Sequence, residues 1–483
     1  MQIDRSAALG AGGAPGWARL AALALAAALA LVGLAAAMVL AVGIVERFDA
    51  IALLLLLLWL GAMAQLVRRA ASARPDWSLL AGIAALSLLI RWWSAQLTFD
   101  VALGADPMNY TNLATAVLEG RGLVTDDWQY GRDLRAYFPP LYPLALAGFW
   151  AVFGVSAYAT LAMNTLIDAI AAWCIADAGR RLGRPAAGRV AAIAYFAWPA
   201  FALSAGIPQK ESLTLLFVLL LLRGVATWLA EPPEGARRWR HGLWLGLWWG
   251  LLSLTQPSLA LAPGAVALVL IWQRGFGPVL RLGLTALPTL IAVLLPWWIR
   301  NWMLFGAFVP FTTASGMMIN SALVGLRVPF PPGLFELPEP ERARIMGGLA
   351  REVIRDNPIG FLGEALRSLV YGFAYEESPL ARYRHTTPAI SAADHARLAP
   401  LLQGAWAALL ASAAAGAWRR FRERSVDPVL LYALVLLLSI GLTNIWFEFG
   451  ERHRLILTPF LLLIAAGFWL GKRQARGQEG AAR

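Results

Sequence analysis

The chain has 483 residues, of which 59% are hydrophobic and only 14% are charged. This composition is too apolar for a soluble fold and indicates a polytopic membrane protein. The formal charge of +12 does not indicate nucleic-acid binding, because the arginines lie largely in short turns between apolar segments, where membrane topology places them. Cys174 is the only cysteine and the four histidines are scattered, so we expect neither an intrachain disulfide nor a zinc cluster.

The apolar segments predict an all-α fold, a polytopic transmembrane helix bundle of about 12 spans, because a crossing helix needs roughly 20 apolar residues. The predicted spans are 17–44, 51–67, 79–97, 156–178, 189–206, 212–230, 242–256, 258–273, 281–299, 399–417, 429–446 and 454–470. The first is longer than a signal-peptide core of roughly 7 to 15 residues, so we interpret it as an uncleaved span. Segment 141–154 has only about 14 residues and is predicted to be re-entrant or packed beside its successor.

The basic turns predict how the spans are oriented. Arg68, Arg69 and Arg74 separate the second and third spans. Placing them in the cytoplasm puts the loop after the third span on the outer face. If segment 141–154 does not cross the membrane, the later arginine-rich turns also fall inside, and both termini are cytoplasmic.

The outer loop at residues 98–142 is the polar interruption nearest the N-terminus. Asp106 followed by Pro107 predicts a helix start, with Asp106 as the N-cap. The apolar face of this helix, predicted to lie along a membrane surface, consists of Tyr110, Leu113, Ala114, Val117 and Leu118. The charged residues that follow, most of which we expect to be solvated, are Asp126, Asp127, Arg132, Asp133 and Arg135.

A wider pattern runs through the same loop. Asp106 is followed by Tyr110, by EGRGL at the end of the helix and by PPLYPL at the start of the next apolar stretch. This pattern resembles the first outer loop of GT-C type membrane glycosyltransferases, in the branch of the aminoarabinose transferases, the protein O-mannosyltransferases and their bacterial relatives. Those enzymes take sugar from a polyprenyl phosphate, and the loop aspartate is their proposed base. The resemblance implies this role for Asp106, which local sequence alone explains as a cap.

Two positions depart from the family's pattern. Many relatives have a second acid where this chain has Pro107, which argues against a two-carboxylate metal site; we assign no cofactor and leave a divalent metal open. Relatives often have a basic or polar residue before the Pro-Pro pair, where this chain has Phe138 after Tyr137. Because Phe138 cannot bind phosphate, any such contact has to come from a residue in another part of the chain. We assign Tyr110 and Tyr137 to substrate binding.

Sugar transfer from a phosphate to a hydroxyl needs a base for the acceptor proton and positive charge for the departing phosphate. The segment SAGIPQKESL places Lys210 and Glu211 at the outer end of a span, where the family has an acid that opens the next helix. We therefore expect Glu211 as a second catalytic residue and Lys210 as a phosphate ligand. Alternatively, Glu211 only balances a helix dipole, or the pair is a snorkelling anchor.

Two further outer segments offer phosphate ligands. The stretch PWWIRNWMLFGAFVP resembles the family's PW..RN....G.F.P segment. It assigns Arg300, whose planar fork suits phosphate, to the donor site and Asn301 to the substrate site. The alternative is that Arg300 only snorkels to water. At the last outer turn the positive-inside rule is broken by Arg452, His453 and Arg454, which favours phosphate binding there.

Residues 300–398 are predicted to form a second outer lobe, with helices over 341–356 and 359–371. One side of the second helix, predicted to lie in the membrane interface, carries Phe361, Leu362, Leu366, Leu369 and Val370. The expected division is a transmembrane catalytic module at 1–299 that includes the outer loop 98–140, a periplasmic region at 300–398, and a transmembrane region with a cytoplasmic tail at 399–483.

The resemblance implies a multi-pass protein of the bacterial inner membrane. It would transfer sugar, with inversion, from a polyprenyl-phosphate donor to a lipid, glycan or protein acceptor at the periplasmic face, with no nucleic-acid partner. A transporter or flippase of lipid-linked sugars is a rival, but the repeat symmetry expected of a transporter is not found in the sequence. A ligase or polymerase that uses a pyrophosphate-linked glycan stays open.

Overall fold

The computed structural model describes residues 16–46, 49–70, 77–98, 104–127, 129–383, 389–423, 428–446 and 451–481. These residues form helices and one small hairpin, so the predicted all-α bundle is confirmed. The first helices are α1 (Gly16–Glu46), α2 (Ala50–Ala70), α3 (Trp77–Thr98), α4 (Ala105–Leu118), α5 (Leu141–Phe153), α6 (Ala157–Arg181), α7 (Pro185–Phe196), α8 (Pro199–Ser204), α9 (Glu211–Ala230), α10 (Gly235–Thr255) and α11 (Ala262–Arg274). The remaining helices are α12 (Phe276–Phe305), α13 (Ser315–Ala322), α14 (Glu339–Asp356), α15 (Pro358–Ala374), α16 (Ser378–Ala381), α17 (Ala392–Arg422), α18 (Pro428–Trp446), α19 (Glu451–Arg454) and α20 (Thr458–Ala481).

Nine helices in the described part of the chain are long and apolar enough to cross a membrane. Each lies on a predicted span. The predicted span 189–206 is instead divided into α7 and α8, because Trp198 is extended ahead of Pro199, as residues before proline prefer. Helix α10 begins with a basic turn, and the described apolar part of α18 is short. The 13-residue α5 is also short, as expected, and it packs beside α6.

Small residues bring α10 and α12 into close contact. Gly242, Gly246 and Gly250 repeat every four residues along one face of α10. A Cβ on Gly246 would collide with the carbonyl oxygen of Ala286 on α12, and the other two glycines face α12 side chains at similar closeness. In membranes, where apolar side chains gain little by leaving lipid, such backbone approach is what allows helices to pack.

The C-terminal helices pack among the N-terminal ones. Helix α17 lies along α1 and α2 and also contacts α20. The buried amide of Gln403 on α17 donates to the carbonyl oxygens of Ala36 at 2.9 Å and Ala374 at 2.7 Å. Because its oxygen also accepts from the Glu376 amide at 2.9 Å, this side chain connects α1 to the outer lobe. The expected division of the chain into three regions stays a prediction.

The outer lobe contains the two predicted helices, as α14 and α15. Along α15, Ile359, Leu362, Leu366 and Val370 are exposed, which agrees with the predicted apolar face. Phe361 does not belong to that face, because it is buried against Leu323 and Ala350 of the lobe. The exposed stripe is therefore narrower than predicted.

The first outer loop corrects three predictions. The N-cap of α4 is Gly104 and no side chain caps the helix, so Asp106 is not the cap. The apolar face formed by Tyr110, Leu113 and Ala114 is buried in the protein core with residues of α5, and not on a membrane surface. Two short strands, β1 (Thr125–Asp127) and β2 (Gly131–Leu134), pair as an antiparallel hairpin that was not predicted.

Asp127 is a fixed part of this hairpin and not a solvated loop charge. Its carboxylate is buried and accepts hydrogen bonds from the amides of Gln129 at 2.8 Å and Tyr130 at 3.0 Å. It also accepts from the Asn109 side chain of α4 at 2.6 Å. Asp127 thereby holds the hairpin against the helix that carries Asp106.

Candidate active site

An ion pair between Asp106 and Arg452 joins two distant parts of the chain. Asp106 lies in the first turn of α4, and Arg452 lies on the four-residue helix α19, 346 positions later. The guanidinium of Arg452 donates directly to the Asp106 carboxylate. Both side chains keep some exposure, 19% for Arg452 and 25% for Asp106, so this pair is reachable from outside the fold.

Glu211 completes a set of two carboxylates around one guanidinium. It is the first residue of α9, where a negative charge suits the positive end of the helix dipole. Its Oε1 lies 4.0 Å from the Arg452 guanidinium. The second oxygen, Oε2, is buried and has no hydrogen-bond partner among the described residues. A buried carboxylate oxygen without a donor is costly, so this atom is suited to accept from a bound hydroxyl.

The charges around Asp106 keep it ionised. Burial by itself would raise the pKa of the Asp106 carboxyl, but the positive charges of Arg452, Arg382 and Lys210 outweigh burial and hold that pKa below its usual range. The carboxylate is therefore the form present at neutral pH. An ionised carboxylate can accept a proton from a hydroxyl that reacts beside it.

Tyr110 lies one turn after Asp106 and is buried against two aromatic rings. Its ring centroid lies 5.2 Å from that of Tyr142 and 5.9 Å from that of Phe138, both edge-on. Burial, followed by the negative charges of Asp106 and Glu211, raises the pKa of the Tyr110 hydroxyl well above its usual value. The hydroxyl therefore stays protonated and can donate a hydrogen bond in the site.

The segments that carry the basic residues are fixed to each other. The Glu451 carboxylate accepts from the amides of Glu377 at 2.7 Å and Ser378 at 2.6 Å, at the start of α16. Arg454 is fully buried, forms an ion pair with Glu376 and lies 3.7 Å from the Trp406 ring centroid. Helix α19 and residues 376–383 therefore form one cross-linked unit beside α4 and α9.

This arrangement does not fit a divalent cation. The two carboxylates of the site are within reach of one guanidinium, and Lys210 and Arg382 add further positive charge around Asp106. No group of three metal-ligating side chains comes together among the residues that the structure describes.

Two comparisons of sequence identify relatives. Residues 138–299 match the family described as dolichyl-phosphate-mannose-protein mannosyltransferase. Two undecaprenyl phosphate-α-4-amino-4-deoxy-L-arabinose arabinosyl transferases of Pseudomonas fluorescens are similar. One is 31% identical over 163 residues, which are 32% of this chain and 28% of the relative. The other is 30% identical over 190 residues, which are 36% of this chain and 31% of the relative. The chain thus matches less than a third of either relative's length.

These matches agree with the resemblance found in the first outer loop. Each match covers only part of this chain, so it shows what that part is similar to. The apo oligosaccharyltransferase of Archaeoglobus fulgidus has a similar fold, with a TM-score of 0.50 and 14% identity over 83% of this chain and 52% of its own. That likeness concerns the fold alone.

Six of the residues singled out from sequence lie together. Arg452 is paired with Asp106 and lies near Glu211. Tyr110 packs against the two aromatic rings and lies within electrostatic range of both carboxylates. Lys210 and His453 lie within electrostatic range of Asp106. Three separate segments of the sequence supply these six residues.

Arg300 and Asn301 lie elsewhere, at the end of α12. The Arg300 guanidinium donates to the carbonyl oxygen of Arg135 at 3.0 Å and to Asn301 Oδ1 at 2.8 Å, and it lies 4.6 Å from the Trp297 ring centroid. The Asn301 amide donates to the Val309 carbonyl at 3.0 Å. These contacts connect the two outer loops, so the structure gives both residues a bracing role.

Arg454 and Tyr137 also have structural partners. Arg454 faces Glu376 and the main-chain oxygens of Gly372 and Tyr375, away from solvent. Tyr137 is buried in the outer lobe and stacks on Tyr130 with centroids 4.7 Å apart. Neither residue is brought into direct contact with Asp106.

Arg382 is the member of the cluster that the sequence did not indicate. It follows α16 in a short polar stretch, YEESPLARY, between two helical regions. No motif and no break of the charge rule distinguishes it there. Only the packing of residues 376–383 against α19 brings its charge to Asp106.

Proposed function

We propose that this protein is a GT-C type glycosyltransferase, which transfers a sugar from a polyprenyl-phosphate donor to a hydroxyl of a lipid, glycan or protein acceptor. The carrying observation is the shared ion pair, in which one guanidinium lies between Asp106 and Glu211 with further basic residues around them. A base and a phosphate-binding charge are the two elements that this reaction needs. The sequence relatives, named for dolichyl-phosphate-mannose and undecaprenyl-phosphate arabinose, support this donor class.

The proposed reaction is an in-line displacement at the anomeric carbon. The acceptor hydroxyl gives its proton to the Asp106 carboxylate as its oxygen forms the new bond to that carbon. The bond from the anomeric carbon to the phosphate oxygen breaks, and the phosphate leaves with the electron pair. Arg452 and Lys210 stabilise the charge that develops on the phosphate, as preorganised donors do. Attack opposite the leaving group inverts the configuration.

Glu211 and Tyr110 have supporting roles in this proposal. The buried Oε2 of Glu211 accepts a hydrogen bond from a sugar or acceptor hydroxyl and so fixes its orientation. The Tyr110 hydroxyl, kept protonated, donates to a substrate oxygen. We place the site at the periplasmic face of a bacterial inner membrane, in accordance with the arginine-rich turns at the other ends of the spans.

The test is a transfer reaction with purified protein in detergent or vesicles. A panel of labelled polyprenyl-phosphate sugars is incubated with candidate acceptors, and both the labelled product and the free polyprenyl phosphate are measured. We expect one donor to release polyprenyl phosphate and product in equal amounts. Movement of intact lipid-linked sugar across the vesicle membrane without cleavage would instead identify a flippase.

A further inference from the structure

Among the residues that the structure describes, the cluster around Asp106 and Glu211 contains more basic than acidic side chains. Two carboxylates face the charges of Arg452, Lys210 and Arg382. Arg452 is paired with Asp106, whereas no carboxylate of the described residues lies within ion-pair distance of Arg382. A largely buried guanidinium without a countercharge is unfavourable, because its lost hydration is not replaced. A bound anion would supply the negative charge that Arg382 lacks.

Among the described residues, the hydrogen-bond acceptor in contact with the Arg382 guanidinium is a neutral amide. With its side-chain oxygen turned toward the guanidinium, Gln209 lies 2.9 Å from one nitrogen of Arg382 and 3.1 Å from the other two. This orientation is the one that gives both amide atoms suitable partners. Gln209 directly precedes Lys210 and Glu211, so Arg382 is joined to the start of α9.

The electrostatic environment of Arg382 agrees with an uncompensated charge. Burial and then the neighbouring charge of Arg452 lower the pKa of the Arg382 guanidinium, and the carboxylates of Asp106 and Glu211 only partly oppose this effect. Arginine remains protonated in proteins all the same. The two guanidiniums are therefore held near each other despite their repulsion, as two ligands of one dianionic group would be.

The position of Arg382 is fixed by the next residue. Tyr383 is fully buried, and its hydroxyl donates to the carbonyl oxygen of Leu203 at 2.7 Å and lies 3.3 Å from that of Ser94. At the other end of the same segment, Glu451 holds the first amides of α16. With both ends anchored, the Arg382 side chain is preorganised toward the cluster, which lowers the cost of binding a ligand there.

We propose that Arg382 is a phosphate-binding residue that acts with Arg452 on the same polyprenyl phosphate, and that Tyr383 positions it. This inference rests on the proposed function. While Asp106 is ionised, before transfer, Arg452 is shared between the Asp106 carboxylate and the donor phosphate. Arg382 supplies the phosphate with a second guanidinium that is not paired with Asp106. Bidentate donation from a guanidinium to phosphate oxygens is geometrically favourable. Arg382 thus selects for the phosphate headgroup and not for the sugar or the polyprenyl chain.

The experiment measures binding of a polyprenyl phosphate, and of the matching uncharged polyprenol, to the full-length protein in neutral detergent. The variants are Arg382→Gln, Arg382→Lys and Tyr383→Phe. The matched control is Arg367→Gln, because Arg367 lies on the outer helix α15, is 65% exposed and is 3.8 Å from Glu364. Intrinsic fluorescence on heating verifies that each variant is folded.

We expect Arg382→Gln to weaken polyprenyl phosphate binding by about 10-fold to 100-fold, the usual effect of losing a charged hydrogen bond. Arg382→Lys should lose less, because the charge remains and only the fork is lost. Tyr383→Phe should weaken phosphate binding and leave polyprenol binding unchanged, which a loss of folding would not do. If the folded Arg382→Gln variant binds polyprenyl phosphate as the wild type does, Arg382 is not a phosphate ligand. If Arg382→Gln does not fold, unchanged phosphate binding by Tyr383→Phe would contradict the proposal.

The failure of this inference differs from failure of the proposed function. A wild-type protein that transfers sugar while Arg382→Gln keeps the same KM for the donor would overturn only the role of Arg382. A wild-type protein that binds polyprenyl phosphate no better than polyprenol would contradict the donor class itself, and the role of Arg382 with it.

Discussion

Asp106 forms an ion pair with Arg452 and does not cap α4. Its substitution therefore tests its role as a base and not the stability of a helix cap. Asn at this position keeps the size of the side chain but cannot take up a proton at neutral pH. We expect Asp106→Asn to remain folded and to lose about 100-fold to 10,000-fold in turnover, the usual range for a general base. The measurement is the initial rate of sugar transfer with the functional donor.

Asp133→Asn is the matched control for this prediction. Asp133 lies in the hairpin of the same loop, is 64% exposed and has a positive φ of 51°, a conformation that Asn tolerates. The same change of charge should therefore leave turnover near the wild-type rate. If Asp106→Asn is as active as Asp133→Asn, the base has to be sought at Glu211.

The pKa of Asp106 depends on its basic neighbours, so the pH profile should report them. Because the pKa of Asp106 is lowered, the carboxylate stays ionised at pH values at which an ordinary aspartate is already protonated. Protonation of Asp106 should therefore not reduce kcat/KM above about pH 4. In Arg452→Gln the largest opposing charge is lost and burial dominates, so the pKa of Asp106 rises. We expect the acid limb of kcat/KM, which reports the free enzyme, to move to higher pH.

The position of that limb separates the two functions of Arg452. Loss of a phosphate ligand alone lowers the rate at every pH without moving the limb. Lys210→Gln, which removes a smaller influence on Asp106, should move the limb by less. Superimposable pH profiles for wild type and Arg452→Gln would show that Arg452 does not control the protonation of Asp106.

At the scale of elements, Glu339 at the start of α14 connects the two outer loops. Its buried carboxylate accepts from the amides of Arg135 at 2.5 Å and Ala136 at 3.2 Å and from the Thr313 hydroxyl at 2.5 Å. Glu339→Ala leaves these donors without a partner in a buried place. We expect a loss of about 1–3 kcal/mol in the free energy of unfolding, measured by thermal or chemical denaturation in detergent.

Glu341→Ala tests whether this loss is specific. Glu341 lies on the same helix, is 45% exposed and forms only a surface pair with Arg344 at 3.4 Å. Exposed pairs of this kind contribute about 1 kcal/mol or less. Equal effects of the two substitutions would mean that the contacts of Glu339 do not hold the outer loops together.

At the scale of the whole molecule, charged residues separate toward opposite ends of the bundle. Helix α9 begins with Glu211 beside Asp106, and about 18 Å further along, at 1.5 Å per residue, Arg223 forms an ion pair with Asp177, which is also paired with Arg181. The positive-inside rule assigns the arginine-rich end to the cytoplasm. We therefore expect the Asp106 end to face the periplasm.

Cysteine labelling in intact cells checks this orientation. In a Cys174→Ala background, cysteines replace Arg121 in the first outer loop, Arg355 at the end of α14 and Arg237 in the first turn of α10, and a membrane-impermeant maleimide is added. All three positions are exposed. We expect labelling of the first two in intact cells and of the third only after permeabilisation. The opposite pattern would invert the proposed topology.

The sequence alone determined the class of fold and most elements. In a membrane, an uninterrupted apolar stretch of about 20 residues has to form a helix to satisfy its backbone hydrogen bonds. This is why the nine helices of the described residues that are long and apolar enough to cross a membrane lie on predicted spans. Proline and amphipathic spacing likewise predicted α14 and α15. The same local reasoning failed at Asp106, where the sequence also suits a helix cap. A capping carboxylate binds a backbone amide nearby in the sequence, whereas the Asp106 carboxylate binds Arg452, which is distant in the sequence.

The tertiary structure decided which charges meet. Asp106 and Arg452 are 346 positions apart, and no periodicity or composition of either segment encodes that contact. Arg300, Arg452 and Arg454 have similar local signals at span ends, yet one braces two loops, one joins the carboxylates and one is buried against Glu376. Arg382 has no local signal at all. Local sequence fixes the backbone state of a segment, whereas the partner of a charged side chain depends on the packing of helices that are distant in the chain.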